Sequence, residues 1–117
     1  MVLQIKGTDY KVTFGIGFLR ELDKKYCIER SGMKFGASMD YKIPLILAGD
    51  VVTLSDVLYT ATCTEDKRPS QKDVDEYIDG VEDIGALFDE VVEELKKSNA
   101  TKIPVTRIQK ALGDVKK

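Results

Sequence analysis

Residues 14–26 read FGIGFLRELDKKY. Two glycines flank Ile16, and a charged segment bearing leucines follows at once. A phosphate-binding loop feeding a helix would make the chain a nucleotide enzyme, whereas a plain strand-to-helix corner would not. A dinucleotide fingerprint requires a third glycine near position 20, where Arg20 stands, and a Walker loop requires Gly-Lys-Ser/Thr, which is absent. The stretch therefore reads as a corner. Phe18, Leu19, Leu22 and Tyr26 fall at i, i+1, i+4 and i+8, the apolar stripe of an amphipathic helix. Gly15 and Gly17 are expected to allow the change of direction.

Upstream of the corner the pattern is that of a hairpin. VLQIK and YKVTF are rich in β-branched and aromatic residues, and Gly7-Thr8-Asp9 between them suits a tight turn. Alternation places Leu3 and Ile5 on one face, opposite Val2, Gln4 and Lys6, while Tyr10, Val12 and Phe14 share a face. A two-stranded ribbon is marginal alone and needs a helix against it.

Downstream, residues 29–42 (ERSGMKFGASMDYK) hold no period and read as a loop with at most a short strand. Pro44 suits a first helical position, so IPLILAG is expected to make one or two buried turns ending at Gly49. Thr53 or Ser55 is expected to cap a helix carrying Leu54, Val57, Leu58 and Ala61 at i, i+3, i+4 and i+7. After the polar loop TEDKRPSQ, Ser70-Gln-Lys-Asp73 has capping-box form and precedes Val74, Tyr77, Ile78 and Val81. EDIGALFDEVVEELKKSN is the clearest helix. Ile84, Leu87, Phe88, Val91 and Leu95 line its apolar side, acids crowd its N-terminal end and lysines its C-terminal end, as the helix macrodipole favours.

The expected fold class is α+β: an N-terminal β-hairpin packed on a mainly helical domain of about four to five helices. Residues 1–98 form the domain. Residues 99–117 form a basic tail, either flexible or a short docking helix with Ile108, Ala111, Leu112 and Val115 in weak period.

Composition bounds the chemistry. The chain has 117 residues, room for one modest core, with 43% hydrophobic and 32% charged residues. With no histidine, the usual general base near neutral pH is missing, along with Ser-His and Cys-His pairs. Two cysteines, Cys27 and Cys63, cannot assemble a four-ligand zinc site and read as half-buried thiols. A calcium loop aligned on Asp75 places Tyr77 and Ala86 where oxygen ligands are required. No apolar run approaches a membrane span, and charge arrives by Lys6 and Asp9, too early for a signal peptide's apolar core. No catalytic residue, cofactor, metal, membrane or nucleic-acid partner is expected.

The net charge of −2 conceals strong segregation. Residues 73–98 carry ten acids against two bases, and residues 99–117 carry five bases against one acid. Copies of the chain could therefore attract one another tail to body.

The serial order of hairpin, FGIGFLRELDKKY, IPLILAGD, LSDVLYTATC and the acidic pair DVDEYIDGVEDIGALFDEVVEELKKS resembles the tail assembly chaperone family of long-tailed bacteriophages. The group found in phages and prophages of Gram-positive bacteria is the nearest in texture. The similarity covers roughly residues 1–98 and rests most on GFLRELDKKY, GDVVTLSDVLYTAT and LFDEVVEELKKS. It implies a non-enzymatic protein of the host cytoplasm that binds the tape measure protein and keeps it soluble. It also implies displacement by tail tube protein, absence from the mature virion, and in many members a longer frameshifted form. A tail-completion type of structural or adaptor protein is the alternative. A ligand-binding or catalytic domain would need an apolar cavity with convergent polar groups. The candidate contacts for a partner or for a second copy are Val81, Ile84, Phe88, Val91 and Leu95, with Ile108 and Leu112 in the tail.

Overall fold

The computed structural model describes residues 1–25, 27–30, 33–36 and 38–115, with side chains over 1–24 and 42–111. Strands β1 (Val2–Ile5) and β2 (Thr8–Lys11) form the expected antiparallel hairpin, with Leu3 opposite Tyr10 and Ile5 opposite Thr8. Leu3 and Ile5 point into the core, as the alternation predicts. The turn sits one residue earlier than expected, at Lys6-Gly7, and both residues have positive φ (53° and 79°). That is the signature of a two-residue hairpin turn, whose twist matches the strands. Lys6 tolerates the left-handed region while its ammonium reaches Asp73 at 3.1 Å and Glu76 at 3.8 Å on α4 (Gln71–Gly80).

The corner that follows is built by packing rather than by glycine freedom. Among the described residues the glycines with positive φ are Gly7 and Gly49, so Gly15 and Gly17 do not supply the bend in the way expected. Instead Phe14 and Phe18 meet edge-to-face, ring centres 5.2 Å apart, across the start of α1 (Ile16–Lys25). Two further ties hold the corner. The Thr13 N–H donates to the Ala61 carbonyl at 2.9 Å, and the Ser98 hydroxyl donates to the Phe14 carbonyl.

Residues 29–42 are not a loop. Strands β3 (Cys27–Arg30) and β4 (Met33–Gly36) form a second antiparallel hairpin, and α2 (Ser38–Leu47) begins directly after it. Pro44 is consequently inside α2, six residues past its start, where it cannot donate to the preceding turn. The stop at Gly49 is as expected and has a definite form. Gly49, at φ 86°, donates to the Ile46 carbonyl at 3.1 Å, and Asp50 donates to the Leu45 carbonyl at 2.9 Å, the two bonds of a Schellman motif.

Helix α3 (Val51–Thr60) starts earlier than expected because Asp50, not Thr53 or Ser55, is its N-cap residue. The Thr53 hydroxyl donates to the Asp50 carboxylate. At α4 the capping box of Ser70 and Asp73 forms as read: the Asp73 N–H donates to Ser70 Oγ at 3.0 Å and the Ser70 N–H to the Asp73 carboxylate at 3.3 Å. Helix α5 (Ile84–Lys97) is capped by Asp83, whose carboxylate accepts from the Ala86 N–H at 3.0 Å. Helix α6 (Lys102–Val115) occupies most of the tail. Among the described residues six helices thus stand where about four to five are expected, because α2 and α6 are each full helices.

Helix α2 is the hub. It packs against α1, α3, α5 and α6, while α4 packs on α3 and supports β1. The resulting core takes Leu3 from the hairpin, Phe18 and Leu22 from α1, Leu58 from α3, Val74 from α4, Leu95 from α5 and Val105 from α6. Burying each such leucine or phenylalanine contributes roughly 1.5–3 kcal/mol relative to leaving it in water.

Candidate partner-binding surface

The apolar arc of α5 is wider than one core needs, and the fold divides it. Leu87, Val91 and Leu95, at i, i+4 and i+8, are buried and belong to the protein's own interior. A quarter-turn round, Ile84, Phe88 and Val92 form a second stripe at the same spacing. Ile84 remains 38% exposed, and Phe88 and Val92 lie half-buried against the core.

Of the residues read from sequence as partner contacts, Val91 and Leu95 are therefore structural in this conformation, Ile84 is exposed, and Phe88 is half-buried. Val81 is half-buried at the C-terminal end of α4. Ile108 is half-buried on α6, against the core, and Leu112 lies on α6 with its side chain outside the described residues. Val92 stands outside the stripe expected from sequence, although its signal, three apolar residues at four-residue spacing with Ile84 and Phe88, is present there.

The second stripe opens into a groove of about 650 Å³. Ile46 and Leu47 at the end of α2 face Phe88 and Val92 across it, Gly49 and Gly85 border it, and Gln109 of α6 closes one side. Asp89, Glu93 and Lys96 form its charged margin, with Lys96 paired to Glu93 at 3.5 Å. An apolar floor with a charged margin suits an amphipathic helix from another chain.

A smaller groove of about 370 Å³ lies between α3 and α4, beside the exposed Val51 and Val52. Its polar wall is internally satisfied: the Ser55 hydroxyl donates to the Asp75 carboxylate, and Gln71 Nε2 donates to Ser55 Oγ at 2.7 Å. With no histidine in the chain, that Ser-Asp pair lacks the base that would activate a serine nucleophile. The Lys42 ammonium, largely buried, sits 3.6 Å from the Asp56 carboxylate.

Elsewhere the titratable groups are tuned by ordinary causes. Burial, and then the negative charge of Glu21, push the Cys63 thiol up from its usual value, partly opposed by Arg68. Burial and Glu90 do the same to Tyr77. Hydrogen bonds from Lys6 and from the Ser70 N–H hold the Asp73 carboxyl below the usual range. The Arg68 guanidinium lies 4.2 Å from the Tyr59 ring centre and donates to the Tyr59 carbonyl at 2.7 Å, pinning the polar loop to α3. Among the described residues no group of three metal-ligating side chains converges, and no helix is long and apolar enough to cross a membrane.

Comparison with known families gives one finding. The model of a family described as phage tail assembly chaperone protein, TAC, matches residues 2–110. That match runs on into α6, past residue 98 where the resemblance read from sequence stops. Searches among curated proteins and solved structures returned no match.

Proposed function

Because the chain belongs to the phage tail assembly chaperone family, we propose that it binds the tape measure protein through the groove bounded by α2, α5 and α6. It keeps that protein soluble in the host cytoplasm before the tail polymerises. Tail tube protein then displaces it, and it does not enter the mature virion. The role is one of shielding, with no bond made or broken.

The observation that carries this reading is the surplus apolar stripe of α5. Phe88 and Val92 are only partly covered by the core and line, with Ile46 and Leu47, a groove open to solvent, and Ile84 stands exposed on the same stripe. A long, largely helical partner presents apolar faces that aggregate unless covered. A half-buried aromatic with an aliphatic neighbour at i+4 offers the kind of anchor such a face requires. The acidic outer side of α5 keeps the complex in solution.

Self-association belongs to the same reading. Residues 73–98 are strongly acidic and residues 99–117 basic, and exposed apolar residues stand on two different helices, Val52 on α3 and Ile103 on α6. Several copies could thereby line up along one long client, tail to body.

The test is co-expression with a tape measure protein of the same phage. Soluble co-purification is expected with the wild-type chain, and Phe88→Glu together with Val92→Glu should abolish it while leaving the chaperone folded by circular dichroism. Finding the protein in purified virions by mass spectrometry would instead favour a tail-completion component.

A further inference from the structure

We infer that the seat of α6 on α2 and α5 is also part of the client's seat, and that an incoming basic amphipathic helix displaces α6 to occupy it. This rests on the reading of the α2–α5–α6 groove as the partner site and specifies the chemistry of what enters.

Three observations converge. First, α6 is seated through few buried side chains among those described. Of its ten side chains described, Val105 alone is buried and Pro104, Ile108 and Gln109 are half-buried, whereas α5 buries three and α4 two. Its residues also disfavour an independent helix: Ile103, Val105, Thr106 and Ile108 are β-branched, and Gly113 falls near its end. A 14-residue helix of such composition forms only because it is seated.

Second, the hinge before it is firm. The buried Thr101 hydroxyl donates to the Leu95 carbonyl, and the Ser98 hydroxyl donates to the Phe14 carbonyl. Release of α6 would therefore begin at Lys102 and leave α5 in place.

Third, the open groove continues the seat. Gln109 of α6 forms one wall of it, so withdrawing the helix joins the Val105 pocket to the floor made by Ile46, Leu47, Phe88 and Val92. The charges match as well. Helix α5 carries four acids against two bases, and α6 three bases against one acid. The chain's own α6 thus shows what the trough accepts: a helix with apolar residues spaced like Val105 and Ile108, and lysine or arginine on its outer side.

The probe is a fluorescein-labelled synthetic peptide of residues 99–117, titrated against the full-length chain by polarisation. Thr106 is exposed, so Thr106→Pro breaks α6 through its backbone and removes no buried side chain. The peptide should bind Thr106→Pro about tenfold or more tightly than wild type, because the intact helix no longer competes. A peptide carrying Val105→Asp should not bind. Equal binding to both proteins, or no binding to Thr106→Pro, overturns the inference.

A second measurement uses only wild-type protein. Hydrogen exchange of amides 103–111 in isotope-labelled chain should accelerate when unlabelled peptide is present in excess, and unchanged exchange likewise overturns it. Failure of the wild-type chain to co-purify with the tape measure protein would refute the proposed function and leave these two readouts to decide the seat.

Discussion

Gly49 and Gly80 set up the same substitution with opposite expected signs. Gly49 ends α2 at φ 86°, and an added Cβ there meets nothing within 4 Å. Gly49→Ala therefore has no clash to relieve, and its whole effect is conformational. Holding an L-residue in the left-handed region costs about 1–2 kcal/mol, partly offset because alanine also restricts the unfolded chain. A net loss of about 1 kcal/mol follows. Gly80 is the last residue of α4; its φ is not positive, and its Cβ position is equally open. Gly80→Ala should thus gain about 0.5 kcal/mol, since only the helix-propensity and unfolded-state effects remain. With a urea m-value of about 1.5 kcal/mol/M for a domain of this size, the midpoints should move down by about 0.7 M and up by about 0.3 M respectively. Urea titration followed by circular dichroism at 222 nm, roughly the helical minimum, reads both shifts on one two-state transition. A Gly49→Ala protein as stable as wild type would refute the Schellman assignment and the α2 boundary with it.

Other outcomes follow from the packing and electrostatics. Leu95→Ala, at a site 1% exposed, should destabilise by about 3 kcal/mol in the same titration, whereas Phe88→Ser on the half-buried stripe should lose clearly less. Asp73→Asn keeps an oxygen for the Ser70 N–H but removes the charge facing Lys6. Because the folded carboxyl is held below 3.8, its contribution is present above that value and lost as pH falls through the lower folded value; the raised Lys6 contributes below 10.5 and loses it as pH climbs through its higher folded value. The wild-type advantage over Asp73→Asn in urea midpoint should accordingly stand at pH 7 and shrink steadily below 3.8; a gap that persists in strong acid would contradict the pairing. The raised Cys63 thiol should react with iodoacetamide at neutral pH more slowly than a free cysteine, with its rate climbing at higher pH than a free thiol's; a neutral-pH rate matching the free thiol would show that burial does not protect it.

What was legible in the sequence was what neighbouring residues decide among themselves. The alternation of Leu3 and Ile5, the capping box at Ser70 and Asp73, and the stop at Gly49 each depend on contacts within a few residues. The second hairpin was not legible, because ERSGMKFGASMDYK has too short an alternation to stand out. Pro44 misled for a related reason. A proline favours the first turn of a helix, but packing against α1, α3, α5 and α6 holds α2 together through it.

The division of α5 is the deepest of these cases. Composition and period determined that the chain would be a small α+β protein without histidine chemistry, and that residues 84–97 would form a helix with a broad apolar arc. Only the tertiary structure decided which part of that arc was spare. Leu87, Val91 and Leu95 are inside because the rest of the core closes over them, and Phe88 and Val92 are left at a groove because α2, some forty residues earlier, ends beside them at Gly49. Helical periodicity records which residues share a face, while burial depends on what distant segments bring to that face.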